Sequence, residues 1–207
     1  GIPVDILFLD YQKAFDTVPH QRLLKQVESF GIIDKALKWI QSFLSNRRQR
    51  VRVNNNISTW KPVISGIPQG SILGPILFTL FVNDIPAMLQ SIIAMYADDT
   101  KIFTSLVSDN PNNNLIDDLQ ILQEWSNKFQ MKFHPDKCHV MHIGNTNPKQ
   151  QYTMSTDNGQ HILDEVSSEK DLGILLDDKL KFTDHINIKI NKANQILGCI
   201  KHTFKFM

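Results

Sequence analysis

Three aspartates are the residues of this 207-residue chain best suited to chemistry. Asp98 and Asp99 are adjacent within "YADDT", between the apolar run "SIIAM" and the strand-like "KIFTSL". Asp10 closes a short apolar run, "ILFLD". Adjacent carboxylates at the tip of a tight hairpin repel each other, so either solvent screens them or a cation holds them. If the strands that carry them are neighbours, all three carboxylates meet at one edge of a sheet.

Clustered carboxylates favour a hard divalent cation, because oxygen ligands suit Mg²⁺ or Mn²⁺ and the ion cancels their repulsion. Mg²⁺ completes its shell with water and substrate phosphates, and two ions about 3.5–4 Å apart are the basis of two-metal phosphoryl transfer. In the alternative interpretation, Asp98 and Asp99 form a solvated turn and Asp10 caps a strand end. The acidic pair alone leaves both interpretations open.

Apolar periodicity and turn residues predict the elements that must position these carboxylates. Asp10 ends a strand buried on both faces, whereas Asp98 and Asp99 lie in a hairpin. The other predicted elements are, in order, helices over 19–30 and 34–44, a hairpin over 47–63, a Gly/Pro loop leading into an apolar helix over 66–85, a breaker cluster at 108–114, a helix over 115–129, strands in "CHVMHIG" and "KDLGILLD", and an amphipathic helix from Ile186. This order indicates an α+β fold in which helices cover one face of a small, mostly antiparallel sheet.

Bulk composition is that of an ordinary globular protein, with 42% hydrophobic and 21% charged residues. Because 22 Lys+Arg face 21 Asp+Glu, net charge identifies no partner. The two cysteines, Cys138 and Cys199, have no paired spacing, which predicts free thiols in a reducing compartment. The apolar run "ILGPILFTLFV" is too short for a membrane span, so no membrane association is expected. The abrupt start without Met suggests a fragment of a longer polypeptide.

Five stretches, taken in order, resemble the palm motifs of reverse transcriptases, above all those of non-LTR (LINE-type, jockey-like) retrotransposons. They are "FLDYQKAFDTVPH" (8–20), "GIPQGSILGPILFTLFVNDI" (66–85), "YADDT" (96–100), "WSNKFQMKFHPDKCHVMHIG" (125–144) and "DLGILLDDKLKFTDHI" (171–186). The resemblance implies an N-terminally truncated polymerase palm over 1–178 and the start of a helical thumb over 179–207. The fingers would be missing.

The implied activity is RNA-directed DNA polymerisation, with an RNA template, a DNA primer and dNTPs as partners. Two Mg²⁺ ions, or Mn²⁺ in their place, would be the cofactors. The implied location is intracellular, in the nucleus or cytoplasm of a eukaryote, and the oligomeric state is left open.

The resemblance also assigns roles to residues of the catalytic centre. Asp10, Asp98 and Asp99 would hold the metal ions, and Lys137 would protonate the departing pyrophosphate. The dNTP would meet the backbone at Lys13 and Ala14, the steric gate Phe15 that excludes a 2′-OH, and the loop residues Gln69 and Gly70. Tyr96 would contact the primer terminus, and "DLGILLDD", with Leu172 and Gly173, would form the primer grip.

A basic hairpin could contact the template backbone, because alternation puts Arg48, Arg50 and Arg52 on one face. The alternative is an exposed basic edge that resists aggregation. Six lysines from residue 179 onward face a single acid, Asp184, which fits a thumb that tracks a duplex; they are Lys179, Lys181, Lys189, Lys192, Lys201 and Lys205. The same face could simply be solvated.

The other candidate site residues also have purely structural interpretations. Phe15 could be a core aromatic, "PQG" an ordinary turn, and Lys137 a solvated lysine. A zinc site of His134, Cys138, His139 and His142 is disfavoured, because a strand would point His139 away from Cys138 and His142.

At the level of function, an RNA-dependent RNA polymerase is disfavoured by Ala97 and Phe15. A catalytically inactive palm fragment that at most binds nucleic acid is the main rival.

Overall fold

A computed structural model describes residues 1–106, 114–156 and 159–204. Its strands are β1 Val4–Leu9, β2 Arg48–Gln49, β3 Arg52–Val53, β4 Asn56–Ile57, β5 Lys61–Pro62, β6 Ile92–Tyr96, β7 Asp99–Ser105, β8 His139–Ile143, β9 Thr153–Thr156, β10 Gly159–Ile162, β11 Asp164–Glu165, β12 Ser168–Asp171 and β13 Ile174–Asp177. Its α-helices are α1 Ala14–Thr17, α2 His20–Ser29, α3 Asp34–Leu44, α4 Leu73–Val82, α5 Asn114–Phe129 and α6 Thr183–Thr203, and short 3₁₀ helices span Ile85–Met88 and Pro135–Lys137.

The main sheet has the strand order β11-β8-β1-β7-β6. The apolar strand β1 lies at its centre and pairs antiparallel with both β7 and β8. Strand β6 pairs antiparallel with β7 through the hairpin that contains the acidic pair, and β11 adds one short parallel edge. Apart from Asp5, the residues of β1 are apolar, which suits the centre of the sheet, where strands on both edges satisfy its backbone hydrogen-bonding groups.

One face of this sheet carries the hydrophobic core. Leu7 and Leu9 of β1 are buried, and they belong to the same cluster as Leu23 of α2, Phe78 of α4 and Leu122 of α5. The opposite face is partly open, with Phe8 paired in register with Lys101 and His139. The prediction of an α+β fold with a small, mostly antiparallel sheet is therefore confirmed.

Two predicted elements differ from the structure. The segment "KDLGILLD", predicted as one strand, is a hairpin of β12 and β13. It turns at Leu172 and Gly173, whose φ values of 47° and 85° fit a two-residue primed turn. The predicted hairpin over 47–63 forms, but as two short ladders, β2 with β5 and β3 with β4. Residues 108–113 of the breaker cluster and Lys205 lie outside the described residues.

Candidate active site

The pairing of β1 with β7 brings Asp10 and Asp99 to the same end of neighbouring strands. Leu9 is the register partner of Thr100, so the next residues, Asp10 and Asp99, face each other across the ladder. Asp99 also pairs with Tyr96, which closes the β6–β7 hairpin over Ala97 and Asp98. Ala97 has a φ of 54° at the first turn position, as a tight hairpin with a primed turn requires.

A cavity of about 360 Å³ opens on this end of the sheet, on the face away from the core. Its lining includes Asp10 and Asp99 from the paired strands, Tyr96 from the hairpin and Lys137 from the 3₁₀ helix before β8. Asp98 lies in the turn beside it and is half-buried. The β12–β13 hairpin contributes further lining residues, which are Glu169, Lys170, Asp171 and Leu172.

Around Asp99, negatively charged side chains outnumber positively charged ones. Partial burial raises the pKa of Asp99, and the neighbouring carboxylates of Asp98, Asp171 and Asp10 raise it further, whereas Lys101 opposes them. Lys101 also forms an ion pair with Asp171, which ties β7 to the β12–β13 hairpin. Four carboxylates thus lie close enough to repel one another, and this repulsion disfavours the ionised form of Asp99.

Cys138 and His134 contact the backbone of Asp10 on one side, and Lys137 approaches its carboxylate on the other, cavity-facing side. Behind it, the Cys138 Sγ atom lies 3.4 Å from the Asp10 backbone N, and burial raises the pKa of this thiol to about 11. The backbone N–H of His134 donates to the Asp10 carbonyl at 2.8 Å. In front, the Lys137 Nζ atom lies 3.4 Å from Asp10 Oδ2. These contacts fix the backbone of Asp10 and leave its carboxylate about one-third exposed toward the cavity.

The carboxylates fit a divalent cation by chemistry. Over residues 1–106, 114–156 and 159–204, no group of three or more His, Cys, Asp or Glu side chains is arranged as a metal site. The donor type is nevertheless the one that Mg²⁺ and Mn²⁺ prefer, and a cation would relieve the repulsion that raises the pKa of Asp99. Asp10, Asp98 and Asp99 are therefore the residues that could hold such an ion.

A loop lies against the chain that follows Asp10. The Ile67 N–H donates to the Phe15 carbonyl at 2.7 Å, and the Gln69 side-chain amide donates to the Asp16 carboxylate at 3.3 Å. Phe15 is half-buried and its ring stacks on Phe78, with centroids 4.5 Å apart. The structure thus brings together Phe15 and Gln69, which lie far apart in the chain.

The family profile described as "Reverse transcriptase (RNA-dependent DNA polymerase)" matches residues 5–207. The chain belongs to this family. Reverse transcriptases are enzymes that bind nucleic acid, and the resemblance to the non-LTR, jockey-like group is confirmed by the relatives. The RNA-directed DNA polymerase from mobile element jockey of Drosophila melanogaster is 33% identical over 189 residues, covering 86% of this chain and 20% of the relative. The probable RNA-directed DNA polymerase from transposon BS of the same fly is 29% identical, covering 91% of this chain and 22% of the relative.

The chain therefore spans about a fifth of the length of these curated relatives. Among solved structures, apo telomerase from Candida tropicalis superposes with a TM-score of 0.59 at 12% identity, covering 88% of this chain and 35% of that one. Telomerase from Candida albicans, solved in complex with a TWJ fragment of telomeric RNA, gives a TM-score of 0.53 at 15% identity, with coverage of 85% and 32%. At such identities the likeness concerns the fold, which is that of a reverse transcriptase palm.

The structure of this reverse transcriptase domain places the predicted site residues in three groups. The first group lines the cavity and consists of Asp10, Tyr96, Asp99, Lys137 and Leu172. Asp98 lies in the adjoining turn, and Gly173 follows Leu172 in the β12–β13 turn. The second group surrounds the loop and consists of Lys13, Ala14, Phe15, Gln69 and Gly70. The third group is the basic hairpin, where Arg48, Arg50 and Arg52 are all exposed.

Sequence reasoning missed four charged residues of the cavity, which are Lys101, Glu169, Lys170 and Asp171. Asp171 precedes the turn of Leu172 and Gly173, and the local signal there is weak, because an isolated Gly inside a strand-like run indicates a bulge as readily as a hairpin.

The structure also gives partners to two residues of the disfavoured zinc set. His142 hydrogen-bonds Asp5 at 2.7 Å, and the Cys138 thiol contacts Asp10. No helix within the described part of the chain is long and apolar enough to span a bilayer.

Proposed function

We propose that this chain is the catalytic palm of a retrotransposon reverse transcriptase, which transfers a nucleotide from a dNTP to a primer 3′-OH under the direction of an RNA template. The observation that carries the proposal is the convergence of Asp10 and Asp99 at one end of β1 and β7, with Asp98 in the adjoining turn and Lys137 facing Asp10 across the cavity. Family membership supplies the reaction class.

In this proposal Asp10, Asp98 and Asp99 hold two divalent ions, Mg²⁺ or Mn²⁺. When bound, such ions lower the pKa of the attacking hydroxyl and neutralise charge on the triphosphate. The carboxylates themselves contribute the negative charge that attracts the ions, and the pKa of Asp99 is raised by partial burial and, after that, by the neighbouring carboxylates. Because Lys137 approaches Asp10, it balances the charge of that carboxylate, and in this proposal it donates a proton to pyrophosphate.

Nucleotide selection would rest with the second group. The backbone at Lys13 and Ala14 meets the triphosphate, and Gln69 and Gly70 contact the nucleotide from the loop. The exposed edge of the Phe15 ring would exclude a ribose 2′-OH. The stack of Phe15 on Phe78 supports this role, because a gate must be rigid to discriminate by shape.

Nucleic-acid contacts would come from the remaining residues. Tyr96 is largely exposed at the cavity rim, where a primer terminus would lie, and Leu172 and Gly173 form the tip of the primer-grip hairpin. The exposed Arg48, Arg50 and Arg52 would contact template phosphates. We further propose that residues 1–178 form the palm and that α6, within 179–207, begins the thumb. The protein would act in the nucleus or cytoplasm of a eukaryotic cell.

Primer extension on an RNA template tests the proposal. The 207-residue chain should incorporate dNTPs with Mg²⁺ or Mn²⁺, and Asp98→Asn should reduce the rate by about 10²–10³-fold because it removes a metal-binding carboxylate. Asp34→Asn at the start of α3 removes the same charge far from the cavity and should leave the rate within about twofold. Extension that is unchanged in Asp98→Asn would refute the catalytic assignment.

The second candidate function is nucleic-acid binding without catalysis, and the exposed arginines of the basic hairpin favour it. Fluorescence anisotropy with an RNA–DNA hybrid distinguishes the two. Binding without extension by the wild-type chain would support the second candidate.

A further inference from the structure

Two side chains converge on one backbone carbonyl behind the nucleotide loop. The His20 Nε2 atom lies 2.8 Å from the Gly66 oxygen, and the Arg47 guanidinium Nη2 donates to the same oxygen. The Arg47 Nη2 and His20 Nε2 atoms are themselves 3.2 Å apart. Both side chains are half-buried, and Gly66 is buried.

Arg47 is anchored on two further sides. Its Nε donates to the Leu44 carbonyl at the end of α3 at 3.1 Å, and its own carbonyl accepts the N–H of Val63 at 2.9 Å. Arg47 thus closes the base of the basic hairpin while its side chain reaches the loop that follows the hairpin. Burial lowers the pKa of Arg47, because partial removal from water disfavours the charged guanidinium.

The carbonyl that His20 and Arg47 contact belongs to Gly66, whose backbone is tightly constrained by its neighbours. Gly66 has a φ of 83°, and a Cβ at this position would lie 2.6 Å from the Asp16 carbonyl oxygen. Its N–H donates to the Val18 carbonyl at 2.8 Å, and the next N–H, of Ile67, donates to Phe15. The Gly66 peptide is therefore fixed on one edge by the chain at 15–18, and on its carbonyl by His20 and Arg47.

We propose that His20 and Arg47 are positioning residues that hold the loop of residues 66–70 against the segment carrying Phe15, and thereby set the affinity for the incoming nucleotide. This inference rests on the proposed function for its nucleotide. The loop carries Gln69 and Gly70 at its far end, so a shift at the Gly66 carbonyl displaces both contacts. Neither His20 nor Arg47 reaches the catalytic cavity, whose lining includes neither residue.

The two contacts of His20 Nε2 exclude each other in the neutral ring. If Nε2 carries the proton, it donates to Gly66 and cannot accept from Arg47; if Nδ1 carries it, Nε2 accepts from Arg47. The shorter contact, 2.8 Å against 3.2 Å, favours the Nε2–H form. The Gly66 carbonyl then accepts from both side chains, one donor for each lone pair.

The test compares Arg47→Met, His20→Ala and their double variant with conservative and control variants of the same chain. His20→Gln keeps an N–H₂ donor at the Nε2 position, so it should behave as wild type. Lys38→Met removes one positive charge from the exposed side of α3, and Ile40→Val loosens the packing of the same helix. The measurements are amide hydrogen exchange at Gly66 and Ile67, kcat and KM for dNTP in primer extension, and Tm.

Arg47→Met and His20→Ala should each speed exchange of the two amides about tenfold and raise KM for dNTP by about 5- to 10-fold, with kcat within about threefold, since each loses one hydrogen bond to the Gly66 carbonyl. The double variant should be no more than about twofold worse than the poorer single variant, because both donors act on one carbonyl. Lys38→Met and Ile40→Val should leave KM unchanged, although Ile40→Val lowers Tm.

Two results would overturn the inference. In the first, Arg47→Met leaves the exchange of Gly66 and Ile67 as in wild type, which means that the side chain does not hold the loop. In the second, Arg47→Met speeds amide exchange, but its KM for dNTP rises no more than that of Ile40→Val when the two variants lose the same Tm. That result means that the clamp, which is the pair His20 and Arg47, only stabilises the fold. A wild-type chain that extends no primer refutes the proposed function instead, and exchange still decides whether the clamp holds the loop.

Discussion

Phe15 offers a test in which one side chain has separable structural and functional roles. Its half-buried ring stacks on Phe78 at a centroid distance of 4.5 Å and an interplanar angle of 23°. Its backbone carbonyl accepts the Ile67 N–H, a bond that no side-chain substitution removes directly. Phe15→Val therefore deletes the ring while it leaves the loop attached to the same backbone.

The expected loss of stability follows from this packing. Truncation of a fully buried Phe to Ala costs about 3–5 kcal/mol, and Phe15 is only half-buried and Val keeps part of the side chain, so we expect about 2 kcal/mol. In a chain of this size the corresponding decrease in Tm is about 4–8 °C. This decrease is expected whether or not Phe15 is a gate.

The functional effect is a separate quantity. If the ring excludes the ribose 2′-OH, its removal takes away a clash worth on the order of 1–3 kcal/mol, so the ratio of kcat/KM for rNTP to that for dNTP should rise about 10- to 200-fold. Steady-state primer extension with matched dNTP and rNTP measures this ratio, and differential scanning fluorimetry measures Tm.

Phe78→Leu is the matched control. It removes the other ring of the same stack from the buried face of α4 and leaves the Phe15 ring in place, so it should lower Tm and change the rNTP-to-dNTP ratio much less than Phe15→Val does. A Phe15→Val variant that still extends primers with dNTP, has a lowered Tm and shows an unchanged ratio would refute the gate and leave Phe15 as a core aromatic. If the rNTP-to-dNTP ratio rises equally in Phe78→Leu, the lost discrimination comes from general loosening of the site and not from removal of the Phe15 ring.

Two further predictions concern the entry to α6 and the cysteines. Asp177 accepts backbone N–H groups of Lys179, Lys181 and Phe182, which lower its pKa, so its contribution to stability is present above the ordinary Asp pKa and is lost as the pH falls through the lowered value. Asp177→Asn should consequently lower Tm at about pH 7, and this loss should shrink as the pH falls through the lowered pKa of Asp177, where the wild-type side chain becomes neutral as well; a loss that stays the same as the medium is acidified would contradict this. Cys199 is exposed, whereas Cys138 is buried with a pKa raised to about 11, so a thiol reagent at about pH 8 should modify one cysteine at once and the other only on unfolding. Equally rapid modification of both thiols would show that the chain behind Asp10 opens readily.

Some elements could be predicted from the sequence because their causes are local. A continuous apolar run ending in Asp10 predicts a buried strand, and the residues flanking Asp98 predict a tight hairpin; both are observed as β1 and the β6–β7 turn. The helix α5 follows from the spacing of its apolar residues, of which Leu115, Leu119 and Leu122 are buried. In each case the deciding interactions lie within a few residues of one another.

Other elements could not be predicted because local patterns were ambiguous. Leu172 adopts a positive φ, which Leu rarely does, so an apolar segment that favours one strand instead turns back on itself. The apolar stripe of α6 predicts a packed face, yet Ile190 and Leu197 are 51% and 47% exposed. A periodic stripe specifies which residues share a helix face, but only neighbouring elements decide whether that face is covered.

The sequence by itself determined the chemical inventory of this reverse transcriptase domain: the three aspartates, Phe15, the Gly/Pro loop and most of the strands and helices that carry them. Only the tertiary structure decided which of these groups meet. Asp10 and Cys138 are 128 residues apart in the chain, Lys101 and Asp171 are 70 apart, and His20 and Gly66 are 46 apart. Contacts over such separations depend on strand order, register and loop closure, which no local pattern encodes. For that reason the sequence could propose Asp10, Asp98 and Asp99 as catalytic residues, whereas the ion pair between β7 and the β12–β13 hairpin and the contacts of His20 and Arg47 with Gly66 required the fold.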